Sequence, residues 1–159
     1  MGTPGVILYA EDDENDVFLM QRAFKQAGVS NPLLILPDGN RTVDYLLGKG
    51  QCSDRTAFPL PHLILLDLKL TGISGLDILK LVRTTPSIST TPVVILTSSI
   101  EDQDIHRTYV QGANAYLVKP SDPGRLLFMV QSIRDFWILQ NHAPRGYMDP
   151  ETGGVPSDM

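Results

Sequence analysis

Five short apolar runs recur along the chain, and each is followed by a segment in which apolar residues return every three or four positions. The runs are Val6 to Ala10, Leu33 to Leu36, Leu63 to Leu66, Val93 to Leu96 and Ala115 to Val118. Short apolar runs bounded by turn-forming residues are typical of strands buried on both faces of a parallel sheet. Because parallel strands need long crossover connections, the alternation predicts an α/β fold: one doubly wound, five-stranded parallel sheet with helices on both faces.

The ends of the predicted helices are marked by capping residues and by glycine. The first helix is expected to stop at Gly28, and Asn40 is expected to cap the second. Asp122 followed by Pro123 predicts the start of the last helix, because proline is favoured at the first helical position. A long polar connection, residues 48–61, precedes the central strand, and no chemistry is apparent in it.

The length of 159 residues predicts one domain with a core of its own. We assign residues 1–143 to this domain. Residues 144–159 are rich in glycine, proline and acidic residues without periodicity, which predicts a disordered tail. The formal net charge of −5, with no basic run to offset it, argues against a nucleic-acid binder.

Cysteine content and hydropathy bear on location. The single cysteine, Cys52, excludes an internal disulfide, and no apolar stretch approaches the ~20 residues that a membrane span requires. No basic region followed by an apolar one marks a signal peptide at the N-terminus. We therefore expect a cytoplasmic protein that does not enter a membrane.

Polar side chains follow four of the five predicted strands. They are Glu11, Asp12 and Asp13 after the first strand, Asp67 after the third, Thr97 after the fourth and Lys119 after the fifth. In a parallel sheet these strand ends lie at one edge, where open α/β folds bind their ligands. Each residue could instead be a helix cap or a solvated charge. It is improbable, however, that this explanation applies at all four strand ends at once.

The residue types at this edge suit phosphoryl transfer. Clustered carboxylates repel one another unless a cation joins them, and magnesium favours one or two carboxylates together with phosphate oxygens. Lys119 supplies a point positive charge and Thr97 a hydroxyl donor, the groups that stabilise a transferring phosphoryl group. Asp67 would then be the nucleophile.

The spacing of these residues resembles that of response-regulator receiver domains of two-component signalling, the chemotaxis-regulator-like type. Thr97 lies 30 residues after Asp67, and the Lys119–Pro120 pair begins 22 residues later. Gly75, eight residues after Asp67, also matches the family pattern. The resemblance covers residues 5 to 140 and implies a flavodoxin-like (βα)5 fold.

The resemblance implies a role for each matched position. Asp67 would accept a phosphoryl group from a histidine of a sensor kinase. Glu11, Asp12 and Asp67, together with the backbone carbonyl of Lys69, would hold Mg²⁺, for which Mn²⁺ can substitute. Glu11 replaces the commoner aspartate of the acidic pair and should still reach the metal.

Three further positions would carry the response to phosphorylation. Lys119 would pair with the phosphoryl oxygens, Thr97 would move toward them, and Tyr116 would change rotamer; an ordinary strand aromatic is the alternative for Tyr116. One position departs from the pattern, because Thr71 stands where many members of the family have proline. We expect a less rigid loop there without the loss of a ligand.

The chain leaves little room for an output domain, so we expect a stand-alone receiver that acts by binding other proteins. The connection over residues 48–61, the pair Asn15–Asp16 and the pair Phe136–Trp137 resemble the small response regulators that partner bacterial phytochromes, which are red-light-sensing histidine kinases. A bacteriophytochrome is therefore a candidate kinase partner, and the downstream protein is open.

The last predicted helix carries more apolar residues than one face can bury. The stripe expected to face the sheet consists of Leu126, Val130, Ile133 and Trp137. Phe128 and Phe136 fall off it, and adjacent Phe136 and Trp137 point about 100° apart on a helix. Phe128, Phe136 and Trp137 are a candidate interface for a homodimer or a partner; a local cluster with the C-terminal segment is the alternative.

Three other functions compete with a phosphorylated receiver. A haloacid-dehalogenase-type phosphohydrolase also uses an aspartyl nucleophile, but it needs a second aspartate where this chain has Lys69. A degenerate receiver would act as a binding module without phosphorylation, yet the acidic cluster, Asp67, Thr97 and Lys119 are all present. A flavodoxin-like cofactor binder would need a phosphate-binding loop, which the sequence lacks.

Overall fold

The computed structural model describes residues 4–144, and the predicted tail therefore lies outside the described residues apart from Pro144. Five strands form one sheet in the order β2-β1-β3-β4-β5, and every neighbouring pair is parallel. The strands are β1 (Ile7–Ala10), β2 (Leu33–Leu36), β3 (Leu63–Leu66), β4 (Val93–Thr97) and β5 (Ala115–Val118). The predicted flavodoxin-like α/β architecture is confirmed.

An α-helix follows each strand. The helices are α1 (Glu14–Gln26), α2 (Gly39–Leu47), α3 (Gly75–Thr84), α4 (Asp102–Val110) and α5 (Pro123–Ile133). A short 3₁₀-helix (Gly50–Ser53) lies in the connection after α2, and α5 continues as a π-helical segment (Arg134–Gln140). No helix within residues 4–144 is long and apolar enough to cross a membrane.

Side chains alternate across a strand, and the inner strands β1, β3 and β4 are buried on both faces, whereas the edge strands β2 and β5 are only partly buried. On β1, Leu8 and Ala10 face one core, which residues of α2 and α3 complete. Ile7 and Tyr9 face a second core, completed by α1 and α5. This two-sided burial leaves only the ends of the strands for polar chemistry.

The start of α2 differs from the prediction. Asp38, not Asn40, is the N-cap: its Oδ1 accepts a hydrogen bond from the Arg41 amide at 2.7 Å. Asn40 lies inside the first turn, and its Oδ1 accepts instead from the amide of Ile73 at 3.3 Å. Both residue types can cap a helix, so the prediction of Asn40 was wrong by two positions. The predicted cap of α5, Asp122, is confirmed.

Arg55 fixes the long connection between α2 and β3. Its guanidinium donates to the carbonyls of Tyr45 at 2.8 Å and Leu46 at 2.9 Å, which end α2, and to that of Phe58 at 3.2 Å. It also lies over the Tyr45 ring, 5.8 Å from the centroid. The terminal carbonyls of a helix lack partners within it, so one side chain both caps α2 and holds the connection in place.

Arg83 ties together the loops at the amino edge of the sheet. It donates to the carbonyls of Gly112 at 2.9 Å, Ser89 at 3.1 Å and Thr91 at 2.7 Å, and to Asn114 Oδ1 at 2.8 Å. These residues precede β4 and β5, and the same Asn114 oxygen accepts from the first amide of β4. The guanidinium therefore closes the edge opposite the strand ends that carry the acidic residues.

Candidate functional site

Three carboxylates meet at the carboxyl edge of β1 and β3. Ala10 pairs with Leu66 in the register of these strands, so the residues that follow them, Glu11 and Asp67, lie beside each other. Asp12 completes the group: Glu11, Asp12 and Asp67 each offer an oxygen, and these oxygens lie within 4.8 Å of one another. This spacing and these hard oxygen donors fit a divalent cation.

The ammonium of Lys119 reaches the same group from β5. The amide of Lys119 donates to the Thr97 carbonyl at 2.7 Å, which keeps the residue in register as the strand ends. Its Nζ donates to Asp67 Oδ2 at 3.0 Å, to Asp16 Oδ2 at 3.0 Å and to Glu11 Oε1. The prediction that Lys119 and Asp67 converge is confirmed as geometry, and Asp16 of α1 joins them.

Burial and charge shift the ionisation of this cluster. Glu11 is only 1% exposed, and burial, helped by nearby Asp67 and opposed by Lys119, raises its pKa to about 7. Burial alone would lower the pKa of Lys119, but its carboxylate neighbours outweigh that effect and raise it. The lysine therefore stays charged, and Glu11 is poised to exchange a proton near neutral pH. The hydroxyl of Tyr9, on β1, donates to Glu11 Oε1 at 3.2 Å.

Asp12 is held differently, on the solvent side of the cluster. Its Oδ2 accepts hydrogen bonds from the amide of Thr71 at 3.0 Å and from the hydroxyl of Thr71 at 2.8 Å. Partial burial on its own raises the pKa of Asp12, but these bonds and other hydrogen bonds outweigh it and lower the pKa. Asp12 is therefore ionised under ordinary conditions.

Asp13 does not join the three carboxylates. Its side chain caps α1 by accepting from the Asp16 amide at 2.9 Å. The amide of Lys69 donates to Asp67 Oδ1 at 3.3 Å, so this residue lies beside the aspartate. The role of the Lys69 carbonyl as a metal ligand stays a prediction.

Gly75 has a steric reason for its position. A Cβ atom there would lie 2.1 Å from the carbonyl oxygen of Asp67 and 2.7 Å from the Cα of Leu68. Any side chain would push the first turn of α3 away from the chain that carries Asp67. Glycine at this position thus allows the helix to approach the site closely.

Thr97 and Tyr116, the two residues expected to respond to phosphorylation, lie on strands next to the cluster and are not hydrogen-bonded to each other. Thr97 is fully buried, and its hydroxyl has no hydrogen-bond partner among the described residues. The Tyr116 hydroxyl donates to the Ser99 carbonyl at 2.9 Å, and Ser99 Oγ donates to Asp104 Oδ2 at 2.6 Å. The loop between β4 and α4 is thereby tied to Tyr116 on one side and to α4 on the other.

The last helix exposes the aromatic side chains that the sequence indicated. Phe128 and Phe136 are 71% and 55% exposed, while Trp137 is half-buried against the core of α1 and α5. The Phe136 and Trp137 rings meet edge to face, with centroids 4.8 Å apart. We call these three residues the α5 patch. It borders a surface groove of about 790 Å³ between β5 and α5.

Sequence comparison identifies relatives over nearly the whole chain. A family model described as "Response regulator receiver domain" matches residues 7–131. The chain is 36% identical over 135 residues to the response regulator Rcp1 of Synechocystis sp., which covers 85% of this chain and 90% of Rcp1. It is 33% identical over 141 residues to the probable methanogenesis regulatory protein FilR2 of Methanothrix harundinacea, covering 89% and 88%.

Two solved structures show the same architecture. The Mn²⁺-bound form of Rcp1 superimposes with a TM-score of 0.81 at 35% identity, covering 89% of this chain and 99% of that one. The phosphorylated cyanobacterial phytochrome response regulator RcpA superimposes with a TM-score of 0.82 at 30% identity and the same coverage. The acidic group formed by Glu11, Asp12 and Asp67 fits the divalent-metal binding that is typical of receiver domains. With the family match, the relatives and the geometry in agreement, the chain belongs to the response regulator receiver domain family.

Proposed function

We propose that this protein is a receiver-domain response regulator that accepts a phosphoryl group on Asp67 from a sensor histidine kinase. The observation that carries the proposal is the ammonium of Lys119, held 3.0 Å from Asp67 Oδ2 among three neighbouring carboxylates. Asp67 is itself buried, but it follows a strand at the edge where open α/β folds bind their ligands, and a cation held there suits transfer of an anionic group.

Each residue of the cluster has a role in this proposal. Asp67 attacks phosphorus through a carboxylate oxygen, and the kinase histidine leaves. Lys119 donates to the phosphoryl oxygens, whose negative charge would otherwise meet only carboxylates. Glu11, Asp12, Asp67 and the Lys69 carbonyl would hold Mg²⁺ or Mn²⁺. When bound, the ion supplies positive charge that offsets the carboxylates and the phosphoryl oxygens.

The response to phosphorylation is proposed to begin at Thr97. Its buried hydroxyl is unsatisfied among the described residues, so a phosphoryl oxygen would offer it an acceptor. A shift of Thr97 would disturb the loop that Tyr116 holds through the Ser99 carbonyl. Release of that bond would let Tyr116 change rotamer and alter the surface of α4 and β5 that a partner meets.

Members of this family are signalling proteins rather than classical enzymes, and the family implies a histidine kinase as the partner. We propose a bacteriophytochrome for that kinase, because Rcp1 and RcpA are similar along most of the chain and RcpA is a phytochrome response regulator. Phosphotransfer from a purified bacteriophytochrome, run beside an unrelated histidine kinase, tests this choice. Equal or faster transfer from the unrelated kinase would contradict it.

Cytoplasmic localisation stays a prediction from the sequence.

We further propose that two copies of the chain associate through the α5 patch. Phe128 and Phe136 are exposed side by side with an apolar groove, and a twofold axis would cover the same apolar surface on both copies. Phe128→Asp should lower the mass measured by light scattering from dimer to monomer, with or without acetyl phosphate. Phe18→Asp, at an exposed phenylalanine of α1, is the matched control. A monomeric wild-type protein under both conditions would overturn the proposal.

Intact mass after incubation with Mg²⁺ and acetyl phosphate tests phosphorylation directly. We expect one phosphoryl adduct on the wild type, no adduct without the metal, and no adduct on Asp67→Asn. Asp77→Asn, at an exposed aspartate of α3, should be labelled like the wild type. Circular dichroism of Asp67→Asn should show an unchanged fold, because the substitution is nearly isosteric and removes a buried negative charge.

The competing functions predict other outcomes of the same experiment. A folded wild-type protein without an adduct under any condition would favour a degenerate receiver that acts as a binding module. Repeated release of inorganic phosphate from added phosphomonoesters would favour a phosphohydrolase, although Lys69 stands where such an enzyme needs its acid.

A further inference from the structure

Thr71 contacts the acidic cluster in a way that the sequence did not predict. It lies four residues after Asp67, and both of its donors end on one oxygen of Asp12: the amide at 3.0 Å and the hydroxyl at 2.8 Å. A proline in this place would have neither donor. We expected Thr71, in place of proline, to make this loop less rigid. Instead it donates two hydrogen bonds to Asp12, a candidate metal ligand.

The loop that carries Thr71 is also fixed from its other side. The Thr71 carbonyl accepts from the amide of Gly39 at 2.9 Å, and Asn40 Oδ1 accepts from the amide of Ile73 at 3.3 Å. A Cβ atom on Gly39 would lie 1.9 Å from the Ile73 carbonyl oxygen, so the loop passes directly over the start of α2. Thr71 is therefore clamped between α2 and Asp12.

We propose that Thr71 is a positioning residue for the divalent cation: it holds Asp12 by Oδ2 and so presents Oδ1 to the ion. The inference rests on the proposed metal site and adds to it a residue that is not itself a ligand. Because the Thr71 backbone is fixed on α2, the direction of its two bonds is set before the ion arrives.

The exposure of Asp12 explains why such a contact matters. Glu11 and Asp67 are buried and their orientation is set by packing, whereas Asp12 is exposed to solvent. Without Thr71 its carboxylate could rotate about χ1 and χ2 and would lose entropy on binding the ion. Partners that orient a metal ligand typically contribute 10- to 100-fold to metal affinity. The hydroxyl, as one of two donors, should account for the lower end of that range.

Isothermal titration with Mn²⁺ alone, at pH 8 and without any phosphoryl donor, measures this effect. Thr71→Val removes the hydroxyl and keeps the amide, and we expect the Kd for Mn²⁺ to rise about tenfold. Thr71→Ser restores the hydroxyl and should bind within about twofold of the wild type. Thr84→Val removes an exposed threonine hydroxyl that bonds only within α3, to the carbonyls of Lys80 and Leu81, and should leave the Kd unchanged.

The thermal midpoint of the metal-free variants separates positioning from general stability. If Thr71→Val lowers the midpoint while its Kd stays at the wild-type value, Thr71 is only structural and the inference is overturned. Equal weakening in Thr71→Val and Thr71→Ser would overturn it too. A wild-type protein that binds no Mn²⁺ would overturn the metal site and this inference together. Metal binding with identical Kd values in all variants would leave the site standing and remove only the role of Thr71.

Discussion

Two partly buried cations lie at opposite edges of the same sheet, and their surroundings differ in kind. Among the described residues, the acceptors of Arg83 at the amino edge are neutral oxygens, three carbonyls and one side-chain amide. Lys119 at the carboxyl edge meets the carboxylates of Glu11, Asp16 and Asp67. Both cations are satisfied by hydrogen bonds, so it is the charge of the acceptors that separates them.

The difference shows which edge the chain completes by itself. Around Arg83, burial of a single cation lowers its pKa, and neutral acceptors suffice to hold it. Around Lys119, four carboxylates (Glu11, Asp12, Asp16 and Asp67) against one ammonium leave a formal charge of −4 + 1 = −3 when all are ionised. The hydrogen bonds at the amino edge are complete within the protein. The carboxyl edge carries excess negative charge, which a proton or a cation from solution must offset.

Lys119→Gln should give the largest effect on function. Removal of one preorganised donor to a developing anion typically slows a reaction 100- to 1000-fold, so we expect labelling by acetyl phosphate to slow about 100-fold. Lys25→Gln, at an exposed lysine of α1, should label at the wild-type rate. Wild-type labelling of Lys119→Gln would mean that its charge serves only the fold, as that of Arg83 does.

Arg83→Met should give the largest effect on stability. It removes the donor that three backbone carbonyls share with Asn114 Oδ1. In the described part of the chain only the Asn114 oxygen keeps a second donor, the Val93 amide, and we expect the free energy of unfolding in urea to fall by about 2–4 kcal/mol. Lys80→Met, an exposed position on the same helix, should change it by less than about 0.5 kcal/mol. Below its melting temperature Arg83→Met should still be labelled normally; a labelling defect as large as that of Lys119→Gln would contradict the division between the two edges.

The pH dependence of stability should originate at the carboxyl edge. The pKa of Glu11 is raised by burial from an ordinary 4.5 to about 7, so the folded state holds a proton that the unfolded chain releases. The stability that this proton contributes is present below pH 4.5 and is lost as the pH rises through 7. In EDTA, the free energy of unfolding should fall by about 1–3 kcal/mol between pH 5 and 8 on this account.

Glu11→Gln removes the titrating group and should flatten this slope, whereas Arg83→Met should keep the wild-type slope at a lower stability. Saturating Mg²⁺ at pH 8 should restore stability to the wild type, because an ion that binds only the folded state stabilises it. An unchanged slope in Glu11→Gln would place the titration elsewhere.

Thr97→Val should give the smallest effect, and one of unusual sign. The substitution removes a buried hydroxyl that has no partner among the described residues, so we expect stability to rise by about 1 kcal/mol. Thr108→Val is the matched control: Thr108 is also buried, but its hydroxyl donates to the Ile105 carbonyl at 2.9 Å, and its loss should lower stability by about 1 kcal/mol. Equal losses in both variants would show that Thr97 is satisfied in the free protein.

The sheet could be predicted from the sequence because each buried strand is recognisable from a few neighbouring residues. The convergence of Glu11, Asp67 and Lys119 then follows, since each of them directly follows such a strand. Buried strands are continuous apolar runs, and parallel strands end at the same edge, so a residue that follows a strand has a known place before any side chain is positioned. The burial of Leu126, Val130 and Ile133 and the exposure of Phe128 were predictable for a similar reason, since helical periodicity fixes which residues share a face.

The contacts that the sequence did not indicate depend on how loops dock. Asp16 joins Lys119 from the start of α1, and Thr71 reaches Asp12 from the loop after β3, which lies against α2. No periodicity encodes either distance. Asp38 and Asn40 are both good caps, and only the backbone path decides between them. Asp16 did carry a signal, since it is an acidic residue in the first turn of the helix that follows the acidic strand end of β1.

Arg55 also affects how proteases meet this protein. Trypsin needs an arginine side chain that can enter its specificity pocket from an extended, accessible chain. In the folded protein the Arg55 guanidinium is committed to the carbonyls of Tyr45, Leu46 and Phe58. The connection over residues 48–61 therefore resists nicking after Arg55 despite its polar composition. Cleavage at that bond would therefore report local opening of the contacts between Arg55 and the end of α2.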